Sequence, residues 1–97
     1  MVSRVKTALR ISHNLLDADI ADTILSARAE MVRSGVSEKL ANSEHPLIQT
    51  AVKTYCLAAY ADDATMAEGY QNSWLYQLDN IRKSSIDVPE EEGGDNA

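Results

Sequence analysis

Two histidines, a single cysteine and a closely spaced set of aspartates are the residues here that could bind a metal, move a proton or act as a nucleophile. Asp17, Asp19 and Asp22 suggest a calcium loop, but such a loop needs a central Gly and a closing bidentate Glu, and neither follows. The same three acids suit the first turns of a helix, where the macrodipole favours negative charge. His13 and His45 have no Cys or carboxylate pair at metal-ligand spacing around them. His45 directly precedes Pro46, which marks it as a helix-start residue, and Asp62-Asp63 reads as a capping pair. Cys56 lies in an apolar run and behaves as a small buried hydrophobe. No Gly-rich phosphate loop, no G-x-S-x-G elbow and no Cys/His nucleophile arrangement occurs. The expectation is a protein that is not an enzyme, with no catalytic residue, cofactor or metal.

The elements around these residues read as helices. The stretch HPLIQTAVKTYCLAAYADD, residues 45–63, has no Gly and its one Pro sits at the first helical position. Ile48, Val52, Tyr55 and Ala59 fall on one face of a helix, and Leu47, Ala51, Ala58 and Cys56 widen it. Leu57 and Tyr60 lie off that face, so the second half is apolar almost all round and must be surrounded. This is expected to be the central helix of an all-α domain. Before it come a short basic helix over residues 3–11 with Ser3 as N-cap, a connector over 12–16, and a second helix opening at Asp17. In that second helix Ile20, Ile24, Ala27 and Met31 make the core stripe. Leu25 and Val32 form a second apolar edge, and Arg28 and Arg33 lie near the end that favours cations. Ser34-Gly35-Val36 predicts a Schellman ending. Ser37 caps one further turn, EKLA, with Leu40 as its anchor. A last helix over residues 65–82 places Ala67, Tyr70, Trp74, Leu78 and Ile81 on one face and Tyr76 opposite. Gly69 inside it costs about 1 kcal/mol relative to Ala. The fold class is therefore a small bundle of four main helices plus a short helical turn, with an extended acidic C-terminal tail. Residues 1–83 form the domain and 84–97 the tail.

A chain of 97 residues makes one domain. At this size folding buries only about 60–65 % of the chain's surface, so stability is modest without assistance. One cysteine excludes an internal disulfide and suits a reducing compartment. No apolar run predicts a secretory leader, and none approaches the roughly 20 residues of a membrane span. The formal net charge is −6, but five of the fifteen acids lie in the tail, leaving ten against nine bases elsewhere. A nearly neutral body does not favour tight binding to nucleic-acid phosphates.

What remains is surplus apolar surface. Leu25, Val32, Leu57, Tyr60 and Tyr76 lie off the core stripes and are the expected subunit-interface residues, because large exposed apolar patches mark interfaces. Arg4, Lys6 and Arg10 form the one basic cluster, suited to an acidic protein surface. Ile86, Val88 and Pro89 read as a short extended segment that docks on a neighbouring protein.

The order of these pieces resembles the head–tail connector (adaptor, DNA-packaging) family of tailed phages and prophages. The resemblance covers roughly residues 3–82 and rests on LRI, on ARAEMVRSGVS and on PLIQTAVKTYCLAAY in that order; the acidic tail does not align. It implies a structural virion protein at the capsid vertex, assembled in the host cytoplasm. It also implies a homo-oligomeric ring, twelvefold in the virion, under the portal protein. Such a ring extends the DNA channel without sequence-specific binding and docks the next connector, stopper or tail protein, with no membrane contact. Arg4, Lys6, Arg10 and the Ile86–Pro89 segment are then the expected portal or neighbour contacts. Two other readings stand beside it: a small helical DNA-binding regulator, and a generic helical dimerisation module. Against the regulator, the helix after Gly35 carries Glu38 and Lys39 rather than a basic recognition face.

Overall fold

The computed structural model describes residues 1–84. They form five helices: α1 (Val2–Leu9), α2 (Asp17–Arg33), α3 (Glu38–Ala41), α4 (Pro46–Ala59) and α5 (Ala64–Lys83). The fold is all-α, four substantial helices and one short turn, with no strand among the described residues. Ile86, Val88 and Pro89 lie outside the described residues.

Helix α4 is the centre, in contact with α1, α2 and α5, and its most extensive contact is with α5. Pro46 supplies a pre-set φ at the first helical position, and His45 Nδ1 accepts the Leu47 N–H at 3.1 Å. Ile48, Ala51, Val52 and Cys56 are completely buried. Full burial of one such aliphatic side chain is worth about 1.5–3 kcal/mol. The buried line thus follows Ile48, Val52 and Cys56 at i, i+4 and i+8, which corrects the expected continuation through Tyr55 and Ala59. Tyr55 stays at the rim, its ring edge-on to Trp74 with centroids 4.9 Å apart. Ala59 is exposed because it borders an open groove between α4 and α5 that no side chain of the described residues fills.

Helix α2 places Ile20, Ile24, Ala27 and Met31 in the core as its periodicity requires. Its ending is a Schellman motif in full: Val36 N–H donates to Met31 O at 3.0 Å and Gly35 N–H to Val32 O at 3.1 Å. Gly35 takes φ 112°, and Val36 is buried with Met31, the apolar contact that accompanies this motif. Ser37 Oγ then accepts the Leu40 N–H at 3.2 Å to start α3.

Arg28 does more than place a cation toward the end of α2. It is buried, and its guanidinium donates to the carbonyls of Ala41 at 2.8 Å and Ser43 at 3.0 Å. Glu44 lies 3.5 Å away as its ion-pair partner. These carbonyls belong to the turn between α3 and α4, where no helical N–H reaches them. Arg28 therefore ties the entry of α4 to the middle of α2.

Helix α5 begins at Asp63, whose carboxylate accepts the Met66 N–H at 2.7 Å. It buries Trp74, Leu78 and Ile81, while Ala67 and Tyr70 on the same face are half-buried. Helix α1 is anchored by fully buried Val5. Ser3 is not its cap: the N-cap position falls two residues earlier, at Met1, and the Ser3 carbonyl accepts the Thr7 hydroxyl. The helix closes at Arg10, which adopts the left-handed conformation (φ 61°, ψ 40°) that glycine usually supplies.

Candidate interaction surfaces

Several of the chemistry-bearing side chains have structural partners within the fold. His45 caps α4, and His13 Nδ1 accepts the Leu15 N–H at 3.2 Å within the α1–α2 connector. Asp17 pairs with Lys6 at 2.9 Å, and Asp19 accepts the hydroxyl of Tyr60. Cys56 has no exposed surface, and burial pushes its thiol up to about 11, so it stays protonated at neutral pH. Among the described residues, no three His, Cys, Asp or Glu side chains lie close enough to hold a metal ion. No helix among them is long and apolar enough to cross a membrane.

The five expected interface residues fall into two groups. Leu25 is 64 % exposed, Val32 38 % and Tyr76 70 %, so these three present apolar or aromatic surface to solvent. Leu25 and Val32 stand two turns apart on α2 with Ala29 between them, beside Glu38 and Asn42, around a shallow depression of about 340 Å³. Leu57 and Tyr60, by contrast, are half-buried. Tyr60 packs against the core, and its phenol is held protonated above the ordinary range, first by burial and then by the bond to Asp19. Its neighbours are in its own chain.

Leu75, which sequence reasoning passed over, belongs with the exposed group at 59 %. It follows Trp74 directly, so it lies 100° off the Trp74–Leu78–Ile81 stripe, and that offset was the available signal. With Tyr55, Ala58, Ala59 and Trp74 it lines the α4–α5 groove of about 350 Å³, whose polar rim is Glu30 and Gln71.

The basic cluster separates. Arg4 and Arg10 are exposed. Lys6 turns back instead: its ammonium donates to Asn14 Oδ1 at 2.7 Å and pairs with Asp17, fixing the connector between α1 and α2. The α1 helix and its C-cap therefore offer two guanidinium groups without an ion-pair partner among the described residues, rather than a continuous patch of three cations. Comparison with family models, with curated proteins and with solved structures returns no match to this chain.

Proposed function

We propose that this chain is a structural subunit of a phage head–tail connector, not an enzyme. In this reading it forms a homo-oligomeric ring, twelvefold in the virion, beneath the portal. The ring extends the DNA channel and receives the next connector, stopper or tail protein. The observation that carries the proposal is the exposed apolar surface on two separate helices, Leu25 and Val32 on α2 and Leu75 and Tyr76 on α5. A ring needs each subunit to use two different surfaces on its neighbours, a head-to-tail arrangement that closes by rotation. Two apolar faces carried by helices that each pack on α4 suit that requirement. The order of sequence motifs that resembles the connector family supplies the rest of the reading.

The near-neutral body suits a channel through which DNA slides, since a strongly basic lumen would retain it. The regulator reading gains no support, because α3 spans only the four residues Glu38–Ala41 and carries one acid and one base. The test is to mix the purified chain with its portal protein and image the product. A ring stacked on the portal is expected. A chain that remains monomeric in the presence of portal overturns the proposal.

A further inference from the structure

On the side of α4 away from these apolar faces, α1 crosses the first turns of the helix and leaves a polar groove of about 590 Å³. Ser3, Arg4 and Thr7 form one wall, and Gln49, Thr50 and Lys53 form the other. Two cations and no carboxylate line it. Neither Arg4 nor Lys53 is in an ion pair with another described residue. The carboxylate next to this groove, Glu44, pairs with Arg28 at 3.5 Å through one oxygen and accepts the amide of the wall residue Gln49 at 3.1 Å through the other. The groove's own lining therefore carries net positive charge over hydroxyl-bearing walls, with Glu44 at one edge.

The same chain carries a segment of opposite sign. Residues 85–97 hold Asp87, Glu90, Glu91, Glu92 and Asp95 and no base. This segment leaves the fold at the right end. Only residues 60–63 separate α4 from α5, so α5 runs back along α4 and returns Ser84 to the end where α4 begins. The approach of Arg82 Nε to within 3.8 Å of where a side chain on Gly35 would sit places α5's last turn beside the end of α2. Tyr60 at the end of α4 bonds Asp19 at the start of α2, so these two helices are also antiparallel, and Gly35 too lies at α4's beginning. The segment after Ser84 can span roughly 40 Å when extended, against roughly 21 Å for the whole of α4, so the groove is within reach. Tethering at that distance gives an effective concentration of the order of millimolar, which lets even weak charge pairing dominate.

We propose that the acidic segment 85–97 docks into the α1–α4 groove of its own chain, setting its carboxylates against Arg4 and Lys53. An acidic surface on any partner must then displace the segment before it meets the basic edge of α1. Nucleic acid is the weaker occupant, since two cations neutralise few phosphates and the tethered acids repel the rest. The proposal does not depend on ring formation.

The test uses the full, portal-free chain with a nitroxide attached through Asn96→Cys. Cys56, fully buried and protonated, remains unlabelled. At low salt, amide signals of residues 3–7 and 49–53 should lose about half their intensity, and should recover at about 1 M salt, where the screening length is about 3 Å. Recovery is also expected in the Arg4→Glu, Lys53→Glu double variant, whose signals elsewhere should match the parent and so report an intact fold. Mixing spin-labelled chain of natural isotope content with unlabelled ¹⁵N chain should leave the groove signals sharp. No broadening at low salt, broadening on other helices, or broadening that survives charge reversal would overturn the proposal. Equal broadening in the mixed sample would overturn it too, by assigning the groove to the tail of another copy.

Discussion

Helix α4 and the outer faces of α2 and α5 carry similar apolar side chains and treat them in opposite ways. On α4 the chain supplies the neighbours: Ile48, Val52 and Cys56 are sealed, and Tyr60 turns its hydroxyl to Asp19. On the outer faces of α2 and α5 the described residues supply fewer, and Leu25, Leu75 and Tyr76 each leave more than half of their surface in water. The difference marks which apolar surface the described residues enclose and which they leave in water. Most of the apolar surface of the central helix is covered by α1, α2 and α5, with Leu47 at its start left 49 % exposed. The surface that the proposed assembly would use lies on the two flanking helices, where Leu25, Leu75 and Tyr76 are exposed.

That contrast can be broken first at the centre. Ile48→Ala should lower stability by about 2–5 kcal/mol, through lost burial and a residual cavity, as read by urea unfolding. Arg28→Ala comes next: it strands the Ala41 and Ser43 carbonyls, and the loss of charge-assisted bonds should cost about 1.5–3 kcal/mol. Arg28→Met tests whether packing of the stem alone restores stability; the bonds predict that it does not. On the outer faces the expected pattern reverses. Leu25→Asp and Tyr76→Asp should change the unfolding free energy by no more than about 0.5 kcal/mol while weakening assembly more than Gln49→Asp does. Leu57→Asp, at a half-buried site, should lower monomer stability as well as assembly. Gly69→Ala should raise stability by about 1 kcal/mol, because the residue is helical and an added methyl meets nothing within 4 Å.

Much of this architecture was legible in the sequence because it is local. The stripe Ile20–Ile24–Ala27–Met31, the Ser34-Gly35-Val36 ending, the His45-Pro46 start and the Asp63 cap all follow from residues within a few positions of one another. What escaped involves partners distant in sequence or a choice among neighbouring faces. Arg28 finds carbonyls 13 and 15 residues ahead, and nothing in its own helix announces them. Lys6 looks like part of a basic edge until Asn14 and Asp17 fold back onto it. In the second half of α4, periodicity put Tyr55 on the stripe and Cys56 at its edge, whereas Cys56 is sealed and Tyr55 sits at the rim against Trp74. Arg10 in the left-handed region gives no compositional signal, since a glycine would be the expected residue there. Of the five residues expected at an interface, Leu25, Val32 and Tyr76 are exposed, whereas Leu57 and Tyr60, toward the end of α4 and at its C-cap, are partly enclosed by their own chain.

The exposed α2 and α5 faces are the centre of the account, and particle mass tests them most directly. The 10.6 kDa chain and its Leu25→Asp, Tyr76→Asp variant should each be mixed with the portal protein and weighed by native mass measurement. The account predicts a ring of many subunits on the portal for the parent chain. It predicts monomer for the variant, with an unchanged unfolding curve. A parent chain that stays monomeric with portal, or a variant that still closes the ring, would contradict it.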